Sequence, residues 1–483
     1  MKKYRCEICA EIIETEDFEK LTSCPICSAP KSFLKETDNI VEEDSEDESF
    51  DVPIPISKDN PAIERIDEKC IKCGRCSFIC KKQVGIKYNK NKVIDPVCIN
   101  CGQCLLNCPV GAIVPKYCYK KVKDYIEDTD KVVIAFTSPA VRVALGEAFE
   151  MDSVNVENKL VSALKKIGFN YVFDTTFGAD LTIMEEASEL IERIKNKINL
   201  PQFTSCCPSW VKYMEIYHPK LLNHLSTCKS PIGMQGAMIK TYFSDMMSIP
   251  KEDIVTVAIT PCTAKKYEIS RDEIKDVDYV ITNSELALMI KEEELNFKSL
   301  EDMEYDKIMS RGSGAGVIFG ASGGVMEAAV RTAYHFLTGK NPENDLLEFK
   351  NVRGYDFLKE ATITIADDNI RLLIVHGLKN VESILKDLEN GTCKYDFIEV
   401  MNCPGGCVGG GGQPLGSIKN AKEQIEKRTK ELYREDNSLK VRTSYENQDI
   451  IDIYNSFLER PLSSKAEELL HTKYSDKSSI LKG

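Results

Sequence analysis

Between residues 131 and 377, short unbroken apolar runs punctuate the chain: KVVIAF (131–136), YVFDT (171–175), DIVTVAITP (253–261), DYVIT (278–282) and RLLIVHG (371–377). They alternate with longer stretches of helical periodicity. Short apolar runs without strict alternation are what strands buried on both faces look like, and the stretches between them read as crossover helices. The pattern predicts an α/β fold, with parallel-type sheets flanked by helices, in one large domain over residues 121–483. Within it, LTIMEEASELIERIKNKI (181–198) predicts a helix whose apolar face runs through Ile183, Ala187, Leu190, Ile191 and Ile194. Glu189 falls nearly opposite that face, so periodicity alone reads it as a solvated carboxylate. The tail from Ser444 to Tyr474 keeps helical periodicity and has no metal-ligand pattern.

Composition narrows the classes of function. A chain of 483 residues is too long for one ordinary domain. Its net charge of -13 argues against a nucleic-acid partner, which would need a basic face. No apolar run approaches the roughly 18 residues that cross a bilayer, and MKKYRCEICAEII lacks the apolar core of a signal peptide. These features predict a cytoplasmic protein with no membrane contact. In a reducing compartment, 20 cysteines are metal ligands or catalytic groups more readily than disulfides.

Their spacing divides the part of the chain before residue 121. CEIC (Cys6, Cys9) and CPIC (Cys24, Cys27) bracket fourteen residues, two knuckles that suit one tetrahedral metal, iron or zinc. This stretch, residues 1–35, resembles the rubredoxin-like domain of rubrerythrins, which implies iron, although Ala10 and Ser28 stand where that family has glycine. Residues 36–51 carry nine carboxylates and no basic residue; they lack EF-hand spacing and read as the core of an extended tether over 36–60. Residues 61–120 then repeat C-x2-C-x2-C-x3-C. The first run is Cys70, Cys73, Cys76 and Cys80, the second Cys98, Cys101, Cys104 and Cys108. This is the pattern of a ferredoxin-like α+β domain with two [4Fe-4S] clusters, in which each fourth cysteine crosses to the other cluster. Cluster one then uses Cys70, Cys73, Cys76 and Cys108, and cluster two Cys98, Cys101, Cys104 and Cys80. Lys81 departs from the proline expected after the first run.

Three patches of the large domain sit where a strand-like run gives way to a loop: QFTSCCPSW, VAITPCTAKKYE and FIEVMNCPGGCVGGGGQP. The glycines of the third lack the spacing, lysine and hydroxyl of a phosphate loop, and are expected to let the backbone approach a bulky cofactor ligated by the cysteines. Together the patches resemble the [FeFe]-hydrogenase signatures TSCCPxW, PCxxKxxE and ExMxCxGGCxxGGGQP, in order, with the likeness covering residues 61–475. The resemblance implies an H-cluster: a [4Fe-4S] cube joined through a cysteine to a diiron unit bearing CO, cyanide and a dithiolate amine bridge. It implies Cys207, Cys262 and Cys403 as cube ligands and Cys407 as the bridging thiolate.

By the same resemblance Cys206 exchanges protons with the bridging amine, and Glu186, Ser226 and Glu189 carry them to solvent. Lys265 pairs with a cyanide, while Met401, Phe319, Pro139, Pro231 and Ser138 line the diiron pocket. Thr260 and Ala140 depart from the methionine and serine common in the family, a change that bears on tuning rather than on cluster binding. The resemblance implies reversible interconversion of protons plus electrons with H2, a soluble electron carrier such as ferredoxin, and dedicated maturation proteins. A hydrogen-sensing relative or a non-catalytic iron–sulfur assembly protein is the alternative; Cys206, Cys407 and Lys265 weigh against the second. The five histidines form no HExxH and read as surface or satisfied residues. Cys118, Cys228 and Cys393 read as ordinary buried thiols.

Overall fold

The structure is a computed structural model that describes residues 2–6, 12–15, 18–21, 34–36, 53–86, 97–309, 312–354, 357–365, 368–414 and 421–482. The chain divides into two compact units, residues 1–49 with 416–423, and residues 50–415 with 424–483. In the small unit β1 (Lys2–Cys6) pairs antiparallel with β2 (Ile12–Thr15) and β3 (Leu34–Glu36), in the order β2-β1-β3. Tyr4 is buried and stacks on Phe18 with ring centroids 3.8 Å apart. Cys9, Cys24 and Cys27 lie outside the described residues, as does most of the acidic tether, and of Cys6 only the backbone at the end of β1 is described.

In the large unit β4 (Ile63–Arg65) pairs antiparallel with β5 (Ile113–Pro115) beside the short helices Arg75–Ile79 and Gln103–Leu106. Two four-stranded sheets follow. The first joins β6 (Val132–Thr137), β7 (Tyr171–Asp174), β9 (Ile254–Thr260) and β10 (Tyr279–Thr282) in the order β10-β9-β6-β7, every pair parallel. The second has the order β11-β12-β13-β8 and consists of β8 (Gln202–Phe203), β11 (Leu358–Ile365), β12 (Asp368–His376) and β13 (Phe397–Met401). The apolar runs read as strands are β6, β7, β9, β10 and β12. All seven residues of β9 are buried, as expected for a parallel strand covered on both faces. β11 is different: it is antiparallel to β12 and alternates exposed with buried positions, the signature of a half-covered edge strand.

The Thr176–Asn196 helix corrects the reading of Glu189. Sixteen of its residues are buried, Glu189 among them, because it packs against the Pro231–Met238 and Gly324–Thr338 helices on different faces. Periodicity finds one apolar stripe; a helix enclosed by neighbours also buries polar positions off the stripe. Of the three cysteines read as ordinary buried thiols, Cys228 is buried, but Cys118 and Cys393 are half-buried. Among the described residues no helix is long and apolar enough to cross a membrane.

Candidate active site

The site forms where parallel strands from both sheets end. β8 runs into Cys206 and Cys207, β13 into Cys403 and Cys407, β9 into Cys262, and β6 into Ser138 and Pro139. Such carboxyl ends are where α/β folds place ligands, because the loops there are free of the strand ladder. Pro208 begins the Pro208–Tyr217 helix at its first position, so Cys207 sits at the helix amino end. There the backbone N–H groups of Trp210 and Ser209, with that of Asn402, favour its thiolate against the burial that pushes the thiol up. Cys262 is pushed up to about 12 by burial and by Cys207, and Cys407 to about 12 by burial, Cys262 and Cys207. Cys403 rises well above the ordinary range for the same reasons. Four thiols are thus gathered in one desolvated region.

The glycines of the third patch also meet protein backbone closely. A Cβ on Gly406, at φ +94, would meet Ser322 N at 2.6 Å; one on Gly410 would meet Pro261 O at 2.3 Å, and one on Gly411 Cys101 O at 2.4 Å. Protein backbone approaches these three glycines closely, so they let the cysteine-bearing loops and the Cys98–Cys104 segment close on one another.

Beside the thiols lies a mainly apolar pocket with a cavity volume of about 60 Å³. Cys206, Cys262, Cys407 and Lys265 line it, together with Ser138, Pro139, Pro231, Phe319 and Met401. All six residues predicted to surround a cofactor here therefore do face one cavity. Thr260 and Ala140 line it too, and the Thr260 hydroxyl is turned away to donate to the Cys262 carbonyl at 3.1 Å. Burial alone would lower Lys265, but Glu268, at 2.6 Å, holds it above its usual value, so a full positive charge points into an apolar pocket. Glu268 was not singled out from the sequence, although it is the last letter of PCxxKxxE.

Cys206 is pushed well above the thiol range by burial and then by Glu186, so it stays a protonated thiol. Glu186 is itself raised from 4.5 to about 8 by burial and by Glu189, and its Oε2 is buried with no hydrogen-bond partner. Ser226 Oγ donates to Glu189 Oε2 at 2.7 Å, and Arg193 donates to Glu189 Oε1 at 2.8 Å. Arg193 and Thr227, whose hydroxyl donates to Glu189 at 3.1 Å, escaped the sequence reading. A basic residue one turn after a glutamate was the signal for Arg193.

The repeated cysteine runs fall into two places. Cys70, Cys73, Cys76 and Cys108 line one hollow, with Cys73 exposed. Cys104 is buried beside Cys101, Cys98 and Cys80, whose proximity, with burial, raises it far above the thiol range. This second group abuts the first site: Thr263 Oγ1 donates to Asn100 O at 2.7 Å, Gln103 to Gly409 O at 2.9 Å and Gln83 to Asn402 O at 3.0 Å.

A family model for the iron-only hydrogenase large subunit, C-terminal domain, matches residues 131–411, and one for the iron hydrogenase small subunit matches residues 422–477. The chain belongs to the iron-only hydrogenase family. This hydrogenase is 42% identical over 442 residues to the NADP-reducing hydrogenase subunit HndD of Solidesulfovibrio fructosivorans, covering 86% of this chain and 74% of that one. It is 43% identical over 429 residues to iron hydrogenase 1 of Clostridium pasteurianum, covering 84% and 74%. Among solved structures, the [FeFe]-hydrogenase HydA1 of Chlamydomonas reinhardtii superposes with a TM-score of 0.64 at 37% identity, over 74% of this chain and 98% of that one. A cytosolic iron–sulfur assembly factor of Danio rerio is more distant, at 31% over 71% of the chain.

Proposed function

We propose that this hydrogenase reversibly interconverts protons plus electrons with H2 at an H-cluster held by Cys207, Cys262, Cys403 and Cys407, with Cys407 as the bridging thiolate. The observation that carries the reading is the convergence of Cys206, Cys262, Cys407 and Lys265 on one buried pocket, with Glu186 beside Cys206. The donor set fits the group. Four crowded, desolvated thiols resist ionising together, and metal binding removes that cost because the ligand is the thiolate. Among the described residues no three His, Cys, Asp or Glu side chains close around a single ion, and a cube, being larger, has no need of such closure. When bound, the cluster supplies the electrons and the iron at which the H–H bond forms or breaks.

The protein moves the proton. Cys206 holds it as a thiol at the pocket wall; Glu186, poised near neutral pH with an unpartnered oxygen, takes or returns it; Ser226 and Glu189 continue the route away from the pocket. Lys265 offers a buried charge-assisted donor to an anionic ligand such as cyanide, and Met401, Phe319, Pro139, Pro231 and Ser138 exclude water. Cys98, Cys101, Cys104 and Cys80 would hold the cluster next to the site, and Cys70, Cys73, Cys76 and Cys108 the outer one, reached by a soluble carrier at the exposed Cys73. A rubredoxin-like iron at Cys6, Cys9, Cys24 and Cys27 would add a further electron port; zinc in the purified protein would remove it. We place the protein in the cytoplasm on its cysteine content.

A non-catalytic assembly role is disfavoured by the joint retention of Cys206, Cys407 and Lys265 at one pocket. The test is maturation with the family's assembly proteins, followed by infrared spectroscopy and an H2 assay. CO and cyanide bands with turnover are expected; a matured protein without those bands refutes the reading.

A further inference from the structure

The proton route does not stop at Glu189. Thr227 Oγ1 lies 3.1 Å from Glu189 Oε1 and 2.7 Å from His471 Nδ1, while His471 Nε2 lies 3.1 Å from Glu185 Oε2. Glu185 has a fully buried side chain whose other contacts are donors: the Tyr454 hydroxyl at 2.5 Å to Oε1 and the Leu462 N–H at 2.8 Å to Oε2. With donors filling its other contacts, Glu185 leaves Oε2 to face His471 Nε2, while Nδ1, the other ring nitrogen, faces Thr227.

Thr227 has one hydroxyl hydrogen for two acceptors. With Nδ1 protonated, the hydroxyl accepts from His471 and donates to Glu189; with Nδ1 bare, it turns to His471 and Glu189 loses a donor. We propose that His471 is a proton store for Glu189, exchanging through Thr227. This rests on the reading of Glu189 as part of the proton path. In the exchange the Glu189 carboxyl gives its hydrogen to Thr227 Oγ1 while Thr227 gives its own to Nδ1. A carboxyl and a neutral imidazole become a carboxylate and an imidazolium, and the reverse transfer feeds the site during H2 formation.

The segment carrying His471 is pinned for this. Cys228 and His471 form an antiparallel bridge, with Lys229 N donating to Leu470 O at 2.8 Å and Thr472 N to Thr227 O at 2.7 Å. The titratable groups facing the pair are Glu185, Glu189 and Arg193 from the Thr176–Asn196 helix, Cys228 from the paired segment, Tyr454, and Tyr474, whose hydroxyl donates to Ser226 O at 2.8 Å. Arg193 Nη2 donates at 2.8 Å to Glu189 Oε1, the same oxygen that Thr227 Oγ1 contacts, and of these two partners it is Thr227 that also meets the imidazole.

The chain has five histidines, so nitrogen-labelled histidine in the full-length protein resolves the His471 titration by NMR. Glu189→Gln is expected to lower the His471 midpoint by about one unit, because it removes the anion that the imidazolium faces through Thr227. In Thr227→Val the same Glu189→Gln change should shift the midpoint less, leaving only the through-space effect of the lost charge, and Thr227→Ser should restore the full shift. In turnover, the pH profile should change in the same way in His471→Gln and Thr227→Val and return to that of the unaltered protein in Thr227→Ser. An unshifted His471 in an inactive Glu189→Gln protein overturns this inference alone. A Glu189→Gln protein with normal turnover overturns the proton-path reading and this inference with it.

Discussion

Lys265 Nζ donates to the backbone carbonyl of Cys206 at 3.1 Å while pairing with Glu268 at 2.6 Å. One buried ammonium therefore joins the loop that carries Cys206 to the pocket in which an anionic ligand would sit. Removing it alone would strand Glu268 in the interior, at a cost of roughly 3–5 kcal/mol. The informative variant is therefore Lys265→Met with Glu268→Gln. It is expected to keep the cube's electron paramagnetic resonance signal and to lose most of the CO and cyanide infrared intensity. Full intensity would remove Lys265 from the ligand set.

Cys206→Ala should leave the infrared bands in place, because Cys206 is not read as a metal ligand, and should cut turnover by about 10²-fold or more, the usual worth of a positioned acid–base group. H2 evolution with a reduced dye is the assay. Normal activity would return Cys206 to the role of a small buried side chain.

Glu186 provides a pH test of stability. Its carboxyl is raised from 4.5 to about 8 by burial and then by Glu189, so the folded protein keeps a proton that the unfolded chain releases. The stability from this group is fully present below 4.5 and lost as pH rises through 8. Glu186→Gln, which stays neutral, should flatten the fall in melting temperature across that window and should slow turnover at every pH. An unaltered melting profile would show that the carboxyl is not held neutral.

Gly411→Ala places a methyl group 2.4 Å from Cys101 O and 2.7 Å from Gly102 Cα. Both are backbone atoms and cannot rotate away, so the two loops must part, at about 1–3 kcal/mol. Electron transfer from the cluster proposed at Cys98, Cys101, Cys104 and Cys80 should slow, and its magnetic coupling to the proposed cube should weaken in paramagnetic resonance. Unchanged coupling would place the relay elsewhere.

Strands were legible where they are buried on both faces. β6, β7, β9, β10 and β12 stand out as apolar runs, since a parallel strand between helix layers has no solvent side to mark with polar residues. β11 escaped notice because its half-exposed pattern resembles ordinary loop-flanking sequence. The cysteine patches were legible because metal ligation demands particular atoms at particular spacings, whatever the surrounding fold. Glu189 was not legible from periodicity, which sees one helix at a time, whereas its helix is packed by two others and the carboxylate itself is held by the 226–228 segment and Arg193.

By itself, then, the sequence determined the chemistry available to this protein: which thiols are on hand at ligand spacing, that Cys206 stands beside Cys207, and that a lysine follows Cys262 by three residues. Only the tertiary structure decided how those groups act. It showed that Cys206 and Lys265 share one pocket, that the glycines serve backbone against backbone, and that His471, some 240 residues from Thr227 in sequence, meets it at 2.7 Å. Ligand spacing is local and survives in one dimension. Burial, proton poise and hydrogen-bond linkage depend on which distant segments desolvate a group, and those exist only once the chain has closed on itself.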